Sequence, residues 1–253
     1  MSTQRQTHPH SSSIEPEEVE QFSRIAEQWW DPRGKFKPLH QINPVRLRYL
    51  REHIVRHFGK DAASTAALEG ITLLDMGCGG GLIAEPMARM GAAVTGIDAS
   101  EKNIKTAALH AEQSGVKVDY RTGTAESLSA AGEQFDVVLA LEIIEHVADP
   151  AAFVASCASL VKEGGLLVMS TINRTAKSML FAKIGAEYVL RMLPVGTHDW
   201  RKFVKPDEMA AAMTQNGLSV TAMDGMVLRP LSRQWGIEPN DLAVNYLMVA
   251  RKA

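Results

Sequence analysis

Two spacings of apolar residues divide the chain. Over residues 15–60 apolar side chains recur every three or four positions, as at Val19, Phe22 and Trp29, which predicts helices. Beyond residue 70, short apolar runs alternate with helical patterns. The runs are ITLLDM (71–76), AAVTGID (92–98), VKVDYR (116–121), FDVVLAL (135–141) and GLLVMS (165–170). Buried strands separated by helices are typical of a parallel sheet covered on both faces, so we predict a doubly wound α/β fold.

The same pattern predicts one domain over residues 15–253, after a polar tail (1–14) that we expect to be disordered. In the N-terminal helical part (15–60), a first helix ends near DPRG, a loop follows, and a second helix runs from about Pro44 to Phe58. Two late strands, LSVTAMDGMVL and NYLMVARK, follow a helix in KPDEMAAAMTQNG. Residues 172–206 interrupt the alternation and are too long for a plain loop.

Composition narrows the location and the partners. The net charge of −2 provides no basic field for nucleic acid. Cys78 and Cys157 form no C-x-x-C pair, which favours free thiols in a reducing compartment. The N-terminus resembles no secretory signal, and no apolar run reaches the roughly 18 residues of a spanning helix. We therefore predict a cytoplasmic protein that does not bind nucleic acid.

The stretch LLDMGCGGGLIAE (73–85) places four glycines between a predicted strand and a predicted helix. A P-loop is excluded, because Lys and Ser/Thr do not follow the glycines. Gly79, Gly81 and Ala84 fit the dinucleotide pattern G-x-G-x-x-A, and Asp98 follows Gly79 by 19 positions (98 − 79), where an acid would bind a ribose. This spacing alone leaves both a nicotinamide dinucleotide and S-adenosylmethionine open.

The acid before the glycines separates these two cofactors. Asp75 would aim a carboxylate into the turn, which suits a ligand that carries a cation. S-adenosylmethionine carries a sulfonium and an ammonium group and no phosphate. With Asp75, Gly77 and Gly79 in the order acid-x-Gly-x-Gly, the stretch resembles the first motif of the class I S-adenosylmethionine-dependent methyltransferases.

This resemblance implies further cofactor contacts at the ends of the strands, where open α/β sheets bind ligands. Asp98 is implied to bind the ribose hydroxyls, which suits a carboxylate facing two donors. The alternative for Asp98 is an N-cap of the next helix, although Ser100 is better placed for that role. The remaining contacts implied are Ala99, the adenine-flanking Thr124, Ala125 and Glu126, and Leu141.

Three ionisable side chains follow the fourth strand, in LEIIEHV. On a helical turn Glu142, Glu145 and His146 would share a face. Two carboxylates and an imidazole suit a divalent cation. The alternative is that the acids stabilise the positive end of a helix dipole.

Four stretches together resemble the ubiquinone-biosynthesis O-methyltransferase family from about Phe22 onward. They are WWDPRGKFKPLHQINPVR, LDMGCGGG, LEIIEHV and GAEYVLRMLPVGTHDWRKFVKP. Members methylate ring hydroxyls of polyprenylated phenols and quinols at two steps of the pathway. The resemblance implies Mg²⁺ at Glu142, Glu145 and His146, cofactor contact by Arg46, and other ubiquinone-biosynthesis proteins as partners. The competing hypotheses are another catechol-like acceptor, a nicotinamide-dependent oxidoreductase and a non-catalytic binding module.

Methylation of a ring hydroxyl requires activation, because a phenol with a pKa near 10 is mostly neutral at pH 7. A metal could acidify the hydroxyl as a Lewis acid. Alternatively, His146 or Glu142 could remove the proton as a base. A histidine that binds a metal cannot easily act as the base, so the two mechanisms compete. We favour the metal and keep His198 in GTHDW as a reserve base.

Residues 177–194 predict an amphipathic helix within the insertion. Apolar Leu180, Ile184 and Tyr188 are each four apart, and charged residues form the opposite stripe. Such a helix could be a lid packed on the core or could lie at a membrane surface. Because the implied polyprenylated substrate is located in the membrane, we expect this helix to be a lid that also contacts lipid. The protein would then bind peripherally to the inner face of the membrane. Trp29 and Trp30 could stack on the substrate ring or pack in the core.

Overall fold

An eight-stranded sheet forms the centre of the molecule in the computed structural model, which describes residues 15–179, 200–229, 232 and 234–253. The strands are β1 (Thr72–Met76), β2 (Ala93–Asp98), β3 (Asp119–Thr122), β4 (Phe135–Leu141), β5 (Val161–Ile172), β6 (Leu218–Arg229), β7 (Gln234–Glu238) and β8 (Asn245–Lys252). Their order across the sheet is β3-β2-β1-β4-β5-β8-β6-β7. The predicted tail (1–14), His198 and most of the predicted helix over 177–194 lie outside the described residues.

The strands β1 to β5 pair in parallel and confirm the predicted α/β fold class. Asp75 of β1 is in register with Gly96 of β2 and Leu139 of β4, so the carboxyl ends of these strands lie side by side. β8 runs antiparallel between β5 and β6, and β7 pairs antiparallel with β6 at the sheet edge. The sequence pattern missed β7, whose run QWGIE is short and has no clear alternation.

Seven α-helices that are described over their full length pack around this sheet. They are α1 (Pro16–Ser23), α2 (Lys37–His57), α3 (Ala84–Arg89), α4 (Glu101–Gln113), α5 (Ala125–Ala130), α6 (Pro150–Ser159) and α7 (Pro206–Gln215). Consecutive residues of β1 face opposite sides: Leu74 packs in one apolar cluster and Leu73 in another. No helix among the residues described is both long enough and apolar enough to cross a membrane.

The second helix begins earlier than predicted. α2 starts at Lys37, so the predicted loop is helical and Pro44 lies inside the helix. Pro44 cannot donate a backbone hydrogen bond, but the fully buried Leu50 and Ile54 anchor the helix on the sheet. The continuation of α2 through Pro44 is what places Arg46 in the interior, where it is 4% exposed.

The first helix is shorter than predicted. α1 ends at Ser23, and a separate 3₁₀ turn (Ala26–Gln28) follows it. Because of this break, Ile25 and Ala26 pack in a small apolar cluster with Trp29, Phe36 and Leu82. Leu82 comes directly after the glycines. The N-terminal segment therefore covers the carboxyl end of the sheet.

Candidate active site

The glycine-rich turn after β1 has the backbone that its sequence predicts. Gly77, Gly79 and Gly81 have φ of 73°, 53° and 87°, a region that L side chains rarely adopt. The Gly77 and Cys78 N–H groups donate to the Ile97 carbonyl at 2.8 and 2.9 Å, which fixes the turn against β2. A Cβ on Gly79 would lie 2.4 Å from the Trp29 ring, so backbone conformation and close packing both require glycine there.

The two tryptophans hold this turn. Trp29 Nε1 donates to Asn103 Oδ1 at 2.9 Å, and its ring stacks on Phe36 at 3.7 Å. Trp30 Nε1 donates to the Gly80 carbonyl at 2.8 Å. Of the two alternatives that the sequence left open for them, the structure therefore favours packing against the protein.

The two acids of the motif flank the turn in different ways. Asp75 is 3% exposed, and its Oδ2 has no hydrogen-bond partner among the described residues. Burial raises the pKa of Asp75 to about 7. Asp98 Oδ2 accepts from Gly79 N at 3.0 Å, and Oδ1 accepts from Ser100 N at 2.8 Å. The capping role falls to Ser100, whose hydroxyl accepts from Asn103 N.

A cavity of about 460 Å³ opens beside these acids. The predicted residues Ala99, Thr124, Ala125 and Leu141 line it, together with Asp75, Gly77, Gly79 and Asp98. Thr124 also caps α5 by accepting from Ser127 N at 3.2 Å, whereas Glu126, the next residue but one, is not part of the described lining. The N-terminal helices supply an apolar side of the same cavity. That side is formed by Val19, Phe22, Phe36, Leu39 and Ile42.

Glu142 lies at the end of β4 in an unusual conformation. Its φ of 54° is the only positive value at a non-glycine residue in the described part of the chain. Its carboxylate accepts from Ser170 Oγ at 2.7 Å and from Asn245 Nδ2 at 3.0 Å to each oxygen. Arg46 Nη2 lies 2.8 Å from Glu142 Oε1. The expected helical turn starting at Glu142 is therefore wrong, because the 3₁₀ turn begins only at Ile144.

Glu145 and His146 have separate partners. Glu145 is 4% exposed and accepts from Thr171 Oγ1 at 2.8 Å, and burial raises the pKa of its carboxyl group. His146 Nδ1 lies 3.2 Å from Glu18 Oε2. Burial lowers the pKa of His146, but its hydrogen bond with Glu18 and the nearby negative charge of Glu145 outweigh that effect and raise it.

Comparison with known proteins identifies the family. A methyltransferase domain family matches residues 74–169, from β1 into β5. A ubiquinone biosynthesis O-methyltransferase of Cereibacter sphaeroides is 53% identical over 237 residues, which cover 94% of this chain and 96% of the relative. The chain belongs to the ubiquinone biosynthesis O-methyltransferases. A relative of the same name from Caulobacter vibrioides is 52% identical over 251 residues, 99% of each chain.

The solved structures agree at the level of the fold. Magnesium protoporphyrin IX methyltransferase from Synechocystis, crystallised with bound SAH, has a TM-score of 0.63 at 20% identity and covers 94% of this chain and 95% of its own. At that identity the likeness establishes the fold alone. Family membership makes the chain an S-adenosylmethionine-dependent methyltransferase, as predicted, and sets aside the nicotinamide-dependent alternative.

The cavity of this O-methyltransferase fits S-adenosylmethionine. A buried carboxylate oxygen without a donor, on Asp75, suits the ammonium group. The guanidinium of Arg46 also lines the cavity, and its buried Nε has no acceptor within the described residues, which suits the carboxylate. Asp75 and Arg46 have opposite charges, and they match the ammonium and carboxylate groups in the amino-acid part of the cofactor.

The three residues of the predicted Mg²⁺ site of this O-methyltransferase face different partners. Glu142 faces Arg46, Asn245 and Ser170, while Glu145 and His146 face Thr171 and Glu18. Over the described ranges, no cluster of three or more His, Cys, Asp or Glu side chains is arranged to hold a metal ion. The shared helical face on which the metal prediction depended does not form, because Glu142 precedes the 3₁₀ turn.

Proposed function

We propose that this O-methyltransferase methylates ring hydroxyls of polyprenylated phenol and quinol intermediates, at both O-methylation steps of ubiquinone biosynthesis. The observation that carries the proposal is that one cavity joins the polar cofactor end at the glycine turn to an apolar side built from α1, Phe36 and α2. S-adenosylmethionine supplies the methyl group on its sulfonium. Holding donor and acceptor in line replaces a bimolecular encounter and supplies much of the rate.

Proton removal from the ring hydroxyl is assigned to His146. This imidazole lines the cavity, and Glu18 at its Nδ1 favours the imidazolium that forms when His146 accepts a proton. Glu142, the other predicted base, is less suited because its carboxylate is bonded to Arg46, Asn245 and Ser170. The reserve base His198 lies outside the described residues.

The Mg²⁺ that the family resemblance implies is the competing means of activation. Bound Mg²⁺ would lower the pKa of the hydroxyl as a Lewis acid. To hold Mg²⁺ together, Glu142, Glu145 and His146 would have to turn from the partners that they contact here, which are Arg46, Thr171 and Glu18.

We also propose peripheral contact with the inner face of the membrane, because the polyprenyl tail of the substrate partitions there. The amphipathic pattern of residues 177–194 supports this proposal, although residues 180–199 are not described. Contact with other ubiquinone-biosynthesis proteins is proposed from the family alone. Flotation with anionic and neutral vesicles tests the membrane contact, and the absence of binding to both would contradict it.

The test of the proposed function is SAH release from S-adenosylmethionine with a short-chain demethylubiquinol analogue, compared with an unprenylated catechol. We expect turnover of the prenylated ring at a lower KM, because the apolar side of the cavity can bury the chain. Equal KM values would favour the alternative, a small catechol-like acceptor. Each assay is run with Mg²⁺ and with EDTA: turnover that survives EDTA supports His146, and turnover that EDTA abolishes supports the metal.

A further inference from the structure

A buried hydrogen-bond chain links the last strand to the second helix beside the cavity. Asn245, the first residue of β8, is 7% exposed and donates Nδ2 to both oxygens of Glu142 at 3.0 Å. Glu142 Oε1 in turn lies 2.8 Å from Arg46 Nη2. Nothing in the sequence pattern pointed to Asn245, because it precedes the run YLMVA (246–250), which reads as an ordinary buried strand.

The orientation of the Asn245 amide follows from its partner. An ionised carboxylate only accepts hydrogen bonds, so the NH₂ group of Asn245 must face Glu142. Its Oδ1 is then left buried, with no donor among the residues that the structure describes. An unsatisfied buried oxygen costs free energy that an apolar side chain would avoid. The benefit of asparagine at this position therefore lies in the two hydrogen bonds that it donates to Glu142.

The hydrogen bonds from Asn245 help to keep Glu142 in its unusual backbone conformation. Its φ of 54° is unfavourable for a residue with a Cβ, and the surrounding contacts must maintain it. Ser170 Oγ adds a hydrogen bond of 2.7 Å to Oε1, the same oxygen that faces Arg46. The carboxylate thus has one orientation, fixed from two neighbouring strands.

The fixed carboxylate determines how Arg46 can present its donors. Nη2 is directed to Glu142, and Nη1 lies 3.4 Å from Asn43 Oδ1. Nε is buried without an acceptor in the described structure, although Arg46 lines the cavity next to the glycine turn. A planar guanidinium held through its Nη atoms has its remaining N–H direction fixed as well.

We propose that Asn245 and Ser170 are positioning residues for S-adenosylmethionine. They hold Glu142, Glu142 holds Arg46, and Arg46 donates Nε–H to the carboxylate of the cofactor. This inference rests on the part of the proposed function that concerns S-adenosylmethionine. It does not depend on which acceptor is methylated.

Calorimetric titration of the full chain with SAH, which carries the same carboxylate, tests the proposal. Asn245→Ala should weaken SAH binding about tenfold and Ser170→Ala a few-fold, as expected for lost support of a charge-assisted hydrogen bond. Asn173→Ala is the matched control: Asn173 is 8% exposed and donates Nδ2 at 2.8 Å, but to the Leu242 carbonyl. Its SAH affinity should equal that of the wild type.

A double-mutant cycle separates positioning from general damage. In an Arg46→Met background, Asn245→Ala should cause no further loss of SAH affinity, because its effect acts through Arg46. Wild-type affinity in Asn245→Ala, a loss equal to that of Asn173→Ala, or an additive loss in the cycle would overturn the proposal. If Asn245→Ala does not fold by circular dichroism, Ser170→Ala in the same cycle decides. Failure to methylate any prenylated quinol would overturn the proposed acceptor and leave the SAH result unaffected.

Discussion

The ring of Trp29 occupies the space that a side chain on Gly79 would need, with two ring atoms 2.4 Å from the position of such a Cβ. The Gly79→Ala variant should therefore be destabilised for two reasons. A left-handed alanine costs about 1–2 kcal/mol, and the ring or the turn must also move. We expect loss of SAH binding by calorimetry and a lowered melting temperature.

Gly115→Ala is the control for Gly79→Ala. Gly115 has a φ of 63°, close to that of Gly79, but nothing lies within 4 Å of its Cβ position. This variant should lose only the backbone contribution and keep its SAH affinity. Equal losses of stability in the two variants would show that contact with Trp29 is unimportant.

Asp98→Ala should weaken S-adenosylmethionine binding severely, at least tenfold by the usual strength of charge-assisted hydrogen bonds. Asp98 accepts from Gly79 N and Ser100 N, so the variant loses support of the turn as well as the carboxylate. Asp98→Asn keeps the shape and separates these effects. Unchanged affinity in both variants would remove Asp98 from the binding site.

The affinity for SAH should depend on pH through Asp75. Its pKa is raised to about 7 by burial, so the carboxylate becomes charged as pH rises through that value. An α-amino group with a pKa of about 7.7–8.0 stays mostly charged up to about pH 7, and affinity should therefore increase between about pH 6 and pH 7. Asp75→Asn should abolish this increase. A pH-independent affinity in the wild-type protein would contradict the assignment of Asp75 to the ammonium group.

The same raised pKa predicts how stability without ligand changes. The neutral form of Asp75 is favoured in the folded protein, so its contribution is present at low pH and is lost as pH rises through about 7. Melting curves at several pH values should show a smaller pH dependence in Asp75→Asn.

Replacing Glu18 with glutamine should move the pH profile of kcat. Glu18 contributes to the raised pKa of His146, so its loss lowers that pKa. A base must be unprotonated to act, and the acidic limb of the profile should then shift to lower pH. SAH affinity should stay within about twofold, because Glu18 faces His146 and Lys202. An unmoved limb would argue against His146 as the base.

The local signals in the sequence predicted the strand, the glycine turn and the helix around Asp75 and Asp98. Asp75, Asp98 and the glycines lie where the spacing of a strand, a turn and a helix requires, because these contacts are close in sequence. The start of α2 was missed because Pro44 reads locally as a helix breaker, whereas burial of Leu50 and Ile54 decides its conformation.

The arrangement around Glu142 and His146 depends on contacts between residues far apart in sequence, which periodicity cannot report. Glu142 was expected on a helical face, but its left-handed backbone is maintained by Asn245 and Ser170, which lie 103 and 28 residues away in sequence. The partner of His146 is Glu18, 128 residues away. Such pairs are visible only after the sheet order is known.

The most direct measurement is transfer of a labelled methyl group to a defined oxygen. S-adenosylmethionine labelled with ¹³C in its methyl group is incubated with the enzyme and a short-chain demethylubiquinol, and the product is examined by NMR. We expect one labelled methoxyl carbon coupled to the quinol ring. A labelled methyl group on carbon or nitrogen, or no labelled product while SAH still binds, would contradict the proposed function.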